Sequence, residues 1–213
     1  HESENIYVPE LIFGHLLTSG NYEKKQKHTG GKNGYGGKLT NIFSKEFIVE
    51  TIDHNQGKKY TQRFYNNMAD KDKPKITSNK GKPYTKITYY PDFERFGHKS
   101  LEKDMIRLIT KRTYDAAAVT DPSVNIYLND KKLEFKSFEK YTDLYLGDKT
   151  EVPRHYQEFS SRWAVCVAVN PTQQFEQVSF VNGITTYQGG KHVDYITNQV
   201  CKKLAEYIEK KKK

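Results

Sequence analysis

The stretch Thr29-Gly30-Gly31-Lys32-Asn33-Gly34-Tyr35-Gly36-Gly37-Lys38, TGGKNGYGGK, sets five glycines and two lysines into ten residues. Glycine costs conformational entropy. A cluster of it is kept where the chain must take a positive φ or let something approach the backbone closely. A β-branched residue at Gly36 would then be refused. Bare N–H groups flanked by ammonium groups suit an anion, whereas a solvated Gly/Lys loop is the plain alternative. The next residues decide between the two. Lys38-Leu39-Thr40-Asn41-Ile42-Phe43 reads as a short helix that begins inside GYGGK, so the glycines precede a helix N-terminus, where unpaired N–H groups and the dipole favour a phosphate. Upstream, Val8 to Leu17 groups Leu11, Ile12, Leu16 and Leu17 behind Pro9, a second helical pattern.

Downstream the period changes. Glu46 to Ile52, Lys59 to Tyr65 and Tyr84 to Tyr90 read as strands parted by Asn55-Gln56-Gly57 and Asn79-Lys80-Gly81. Together they predict an antiparallel sheet with helices on one side. Leu101 to Tyr114 carries Leu101, Met105, Ile106, Leu108 and Ile109 as an amphipathic helix. Beyond it, Asn125 to Leu128 and Lys132 to Phe135 flank Asn129-Asp130-Lys131 as a hairpin. Arg162 to Val169 and Glu176 to Thr185 read as strands, and Lys191 to Glu209 as a long closing helix. A domain boundary is placed near Lys111 to Thr120, giving units 1–115 and 116–213. The fold class is α+β.

At 213 residues the chain has length for a real core. Its net charge of +9 and a pI near 9.2 favour a polyanionic partner. The charge gathers in Lys210-Lys211-Lys212-Lys213, directly after a helical pattern. His1 is not an initiator Met, so the chain reads as an internal fragment or processed product. The longest apolar run, Trp163 to Val169, is far short of a membrane span, which predicts a soluble protein. Cys166 and Cys201 offer no metal spacing and suit a reduced, intracellular setting. His15, His28 and His192 share no ligand spacing, which argues against zinc. Glu10 is read as a surface acid. Trp163 alternates with Val165 and Val167 and is read as core.

Generic nucleotide motifs fail. A Walker loop ending at Gly37-Lys38 needs glycine at Lys32 and a hydroxyl at Leu39, and a dinucleotide loop from Gly34 needs glycine at Leu39. A more specific pattern fits. Val8-Pro9-Glu10-Leu11-Ile12-Phe13-Gly14, Leu17-Thr18-Ser19-Gly20-Asn21-Tyr22, TGGKNGYGGK with Asn41-Ile42-Phe43-Ser44, Ser179 to Thr186, Gly189-Gly190-Lys191-His192-Val193-Asp194-Tyr195 and the closing lysines occur in this order. In these blocks the chain resembles the ATPase region of eukaryotic-type type II DNA topoisomerases.

The resemblance implies the latter part of a GHKL-type ATP-binding domain, helices on a mostly antiparallel sheet, followed by a transducer domain of ribosomal-protein-S5-like fold. It implies that the glycine lid wraps the triphosphate of ATP, with Lys38 and the backbone of Lys32, Asn33, Gly34, Tyr35, Gly36 and Gly37 around it. By the same carry-over Ser19, Gly20 and Asn21 contact sugar or phosphate, Ile12 and Phe13 the adenine pocket, and Thr85 the adenine-side network. Lys32 stands where the family often has arginine, and Gly20 where it often has serine. Lys210, Lys211, Lys212 and Lys213 would meet double-stranded DNA.

The resemblance places the catalytic glutamate and the Mg2+-holding asparagine ahead of His1 and the Gln-Thr-Lys loop after Lys213; neither that loop nor an Asp-x-Gly-x-Gly motif occurs here. No catalytic residue, metal ligand or cleavage tyrosine is therefore assigned, and the chain alone is expected to be inactive. A nuclear, homodimeric clamp with no membrane association is implied. Two alternatives stand beside it: a nucleic-acid-binding module without nucleotide chemistry, and another GHKL ATPase such as a chaperone or mismatch-repair protein.

Overall fold

The computed structural model describes residues 1, 4–22 and 30–212. His28, Thr29 and Lys213 lie outside the described residues. The chain forms two compact units, His1–Glu102 and Lys103–Lys213. The division thus falls ahead of the Lys103–Val119 helix rather than after Asp115. That helix packs with the elements that come after it.

The first unit opens with α1 (Val8–Gly14), with proline in its first turn, and α2 (Tyr35–Ile42). The sheet comprises β1 (Ser44–Asp53), β2 (Lys58–Tyr65), β3 (Asp70–Lys71), β4 (Lys75–Ser78) and β5 (Thr85–Pro91). All its pairings are antiparallel, in the order β3-β2-β1-β5, with β4 also on β2. Alternation decides which side chains go inside: Tyr60, Gln62 and Phe64 of β2 are buried, while Lys59 before them and Arg63 among them face outward. Phe47 and Val49 sit opposite Phe64 and Gln62, and Phe47, Val49 and Phe64 make the core, with Phe13 and Met68 against it.

The α1 pattern stops earlier than its apolar residues suggest. His15 is extended, Leu17 takes φ 61°, and Gly14 closes the helix where a β-carbon would lie 2.6 Å from the Phe64 ring. Only glycine lets α1 come down onto β2 at that point.

The second unit holds α3 (Lys103–Val119), α4 (Phe138–Leu146) and α5 (Lys191–Lys211) with three two-stranded ladders, β6 (Tyr127–Leu128) with β7 (Lys131–Lys132), β8 (Arg154–Ser160) with β9 (Trp163–Ala168), and β10 (Phe180–Val181) with β11 (Ile184–Thr185). Asn129 and Asp130 at φ 49° and 63° make the predicted β6–β7 turn. The strand expected over Glu176 to Thr185 is instead a short hairpin, because Asn182 and Gly183 at φ 49° and 78° reverse the chain. The sequence pattern does not foretell β8 or α4, which is capped by the Ser137 hydroxyl. Trp163 is 42% exposed rather than core, its ring 6.4 Å from Tyr195.

The second unit is organised around a buried acid. Asp115 is 3% exposed and accepts from Tyr141 Oη at 2.6 Å, Thr185 Oγ1 at 2.9 Å and Lys111 Nζ at 2.9 Å. Arg112 donates to the same Thr185 hydroxyl at 2.6 Å. One carboxylate thereby ties α3 to α4 and to β11. Burial alone would raise its pKa, but the bonds from Tyr141, Lys111 and Thr185 outweigh that and lower it. Phe138, Tyr141 and Phe180, with ring centroids 5.8 to 6.2 Å apart, pack beside this hub.

Candidate functional site

α2 begins at Gly34, whose φ of 66° and ψ of 23° are left-handed and which provides no side-chain cap. A β-carbon there would stand 3.3 Å from both Ser19 Cβ and Thr18 O and 3.4 Å from Lys38 Nζ, so the turn is closely lined as well as left-handed. The N–H groups of the first helical turn, at Tyr35, Gly36 and Gly37, are left for a partner from outside the helix. Gly36 and Gly37 do not have positive φ, and the space beyond Gly36 is open. The strain expected at Gly36 therefore belongs to Gly34.

Lys38 lies one turn further on and is 1% exposed. Its ammonium donates to Thr18 O at 3.3 Å and Gly34 O at 3.1 Å. An ammonium has three N–H donors, and no carboxylate pairs with this one among the described residues. Desolvation lowers its pKa. A buried cation satisfied only by carbonyls beside an uncapped helix start leaves positive potential where an anion can reach it.

The neighbouring loop is tied to the same place. Ser19 Oγ donates to Lys32 O at 2.6 Å and accepts from the Asn21 amide at 3.1 Å. Thr18 Oγ1 donates to Leu11 O and His15 O, both at 3.1 Å, so the residue that holds Lys38 is itself held by α1. Asn41 Nδ2 donates to Phe13 O at 3.1 Å, and the Phe13 ring lies 3.3 Å from where a Gly37 β-carbon would be.

The structure therefore gathers Ser19, Lys32, Gly34 and Lys38 together, with Asn33, Tyr35 and Gly36 on the exposed rim. Ile12 is 49% exposed, and Phe13 turns inward onto Phe47 at 5.9 Å. Gly20 is exposed, and nothing lies within 4 Å of a β-carbon built on it, so a serine would fit there. Thr85 is not brought into contact with the Lys38 group. It opens β5 and meets Thr51 at 2.9 Å, at the end of β1 away from Ser44 and α2. Lys210 and Lys211 form the last turn of α5 and Lys212 caps it, so they extend the helix rather than trail behind it. No group of three His, Cys, Asp or Glu converges on a metal site among the described residues.

Glu10 contradicts its surface reading. At 7% exposure its carboxylate accepts from Gln62 Nε2 at 3.1 Å and from Lys71 Nζ, with His15 Nε2 at 3.6 Å. Burial pushes its pKa up, and the bonds from Lys71 and Gln62 more than reverse this.

Fold and site together define an α+β protein that carries an anion-competent helix start on an antiparallel sheet. A family profile described as DNA gyrase B matches residues 123–213. Along the whole chain, DNA topoisomerase 2 of Saccharomyces cerevisiae is 48% identical over 232 residues and that of Arabidopsis thaliana 49% over 221. The chain spans only 16% and 15% of those relatives. The crystal structure of the ATPase region of Saccharomyces cerevisiae topoisomerase II superposes with a TM-score of 0.90 at 48% identity, over 99% of this chain and 55% of that one. A topoisomerase IV ATP binding domain of Francisella tularensis, at 24% identity and a TM-score of 0.62, shares the fold over 99% of this chain and 56% of its own. The chain belongs to the type II DNA topoisomerase family and corresponds to part of its GHKL-type ATPase region.

Proposed function

We propose that this chain is part of the ATP-operated clamp of a type II DNA topoisomerase. In this reading it cradles the phosphates of ATP, dimerises within the complete protein and helps to capture a DNA duplex for passage through a second, cleaved duplex. The observation that carries it is Lys38, a buried ammonium without a carboxylate partner among the described residues, set behind the left-handed turn at Gly34 where α2 begins.

The amides of Tyr35, Gly36 and Gly37 would receive phosphate oxygens, and Lys38 would add its charge from behind. Ser19, Gly20 and Asn21, with Lys32 and Asn33, would close over the phosphates. Ile12 and Phe13 of α1, beside α2, and Thr85 at the start of β5 would face the base. A triphosphate at the start of α2 would fix this segment, and the second unit, Lys103–Lys213, would act as the transducer that carries the change onward. The described residues provide no cradle for Mg2+, so no step is routed through one. Lys210 to Lys213 would meet phosphates of double-stranded DNA without reading sequence. Such a protein would work in the nucleus.

The test is nucleotide binding by a protein that carries this chain inside a complete ATPase region. Lys38→Ala should weaken a non-hydrolysable ATP analogue on the order of ten- to a hundredfold, the worth of one charge-assisted hydrogen bond. ADP should lose less. Equal losses for the two nucleotides, or none, would remove Lys38 from the site.

A further inference from the structure

Glu10 is far from the surface acid that its sequence suggests, and its connections lead towards Lys38. The carboxylate joins α1 to β2 through Gln62 and to β3 through Lys71. Gln62 is fixed in turn: it also donates to Asp72 O at 3.0 Å and accepts from the Tyr60 hydroxyl. Glu10 therefore meets a pre-set partner and is held on two sides.

The next links are in α1 and the loop that follows it. Leu11 O and His15 O receive the Thr18 hydroxyl, Thr18 O receives Lys38 Nζ, and Phe13 O receives Asn41 of α2. Among the described residues, Lys38 is held from outside the Gly34–Ile42 segment by Thr18 O, and that bond passes through the segment that Glu10 anchors. Removing the anchor frees α1 to shift on the sheet, and the Thr18 carbonyl moves with it.

We propose that Glu10 is a positioning residue of the nucleotide site: locked to Gln62 and Lys71, it sets the α1 segment that aims the Lys38 ammonium. This rests on the nucleotide reading above. The residue touches no ligand and acts through Thr18 and Lys38. Its influence through Lys38 falls on the phosphates and separates ATP from ADP, whereas any shift of Ile12 and Phe13, which share α1 with Glu10, acts on the base common to both nucleotides.

The experiment measures the dissociation constants of a non-hydrolysable ATP analogue and of ADP in a protein with the complete ATPase region. Glu10→Gln, Lys71→Met, their combination and Lys38→Ala are compared. Glu10→Gln and Lys71→Met should each weaken the ATP analogue roughly three- to tenfold, as expected for one member of a partly buried ion pair. ADP should change less. The combination should cost no more than the costlier single substitution, since both cut the same link. Lys71 is partly exposed, so its variant reports even if Glu10→Gln folds poorly. A role in stability alone would lower the melting temperature and leave the ATP-to-ADP ratio unchanged; that result overturns the proposal. If Lys38→Ala shifts the ratio and the Glu10 and Lys71 variants do not, the positioning role fails and the nucleotide site stands. If Lys38→Ala shifts nothing, both fail together.

Discussion

Lys38 is a cation that folding has moved out of water without giving it an anion among the described residues, and its pKa falls below 10.5 in consequence. The linkage has a definite sign. A lowered lysine pKa means that the empty site disfavours the charged form, whereas a bound triphosphate favours it, so binding should take up a proton as the pH approaches the lowered value. Triphosphate affinity should decline with rising pH in the alkaline range below 10.5. Calorimetry in buffers of different ionisation enthalpy, repeated at rising alkaline pH below 10.5, should find proton uptake that disappears in Lys38→Ala. Uptake unchanged by that substitution would place the titrating group elsewhere. Lys38 is legible in the sequence because glycines and a lysine at a helix start have a local physical meaning. Glu10 is not: its partners Gln62 and Lys71 lie 52 and 61 residues along the chain, and nothing in VPELIF announces them.

Among the elements, α2 shows how a glycine run divides its labour. Gly34 supplies the left-handed turn, and Gly36 has ordinary backbone and open space. Gly34→Ala should therefore destabilise the first unit by about 1–2 kcal/mol, the cost of a left-handed alanine. Gly36→Ala should leave the melting temperature unchanged or raise it, since alanine gains up to about 1 kcal/mol over glycine in a helix. Thermal unfolding distinguishes the two, and equal losses would contradict this division. The sequence lacks the information to choose, because a left-handed residue is set by the turn that precedes the helix. Longer elements are plain in it. β1, β2 and β5 alternate, and α3 and α5 hold their apolar period over 17 and 21 residues. The β10–β11 ladder, with two residues in each strand, is too short to show a period, yet Asn182-Gly183 between Val181 and Ile184 is a hairpin signal that a single-strand reading of Glu176 to Thr185 passes over. α4 has its signals in Ser137, a capping residue before Phe138, and in Phe138, Tyr141 and Tyr145 at helical spacing, but nine residues give that period little length in which to repeat.

For the molecule as a whole, the net charge of +9 counts through its placement. Lys210 and Lys211 continue α5 for its last turn, and Lys211 lies 5.7 Å from the Tyr207 ring. Replacing Lys210 to Lys213 with alanine should weaken binding to unrelated short duplexes alike and lower the slope of log K against log salt by about 0.9 for each lost phosphate contact. An unchanged slope would leave the lysines as a solvated helix end. Acid should act on both units. The carboxylates of Asp115 and Glu10 have native pKa values below their ordinary 3.8 and 4.5, so their stabilisation is complete above those values and is lost as the pH falls through the lowered ones. Unfolding followed by circular dichroism below about pH 4 should start later in Asp115→Asn than in the parent, relative to each protein's own neutral-pH stability.

The Asp115 hub also has a history in time. Tyr141 lies 26 residues further along the chain and Thr185 lies 70. At roughly 5–20 residues per second, a ribosome needs several seconds to make the second partner after the acid itself. Through that interval the Asp115 carboxylate of α3 lacks the Thr185 hydroxyl that completes its bonds. A nascent chain stalled before Thr185 should be cut by protease within α3, and one stalled well past it should be protected there.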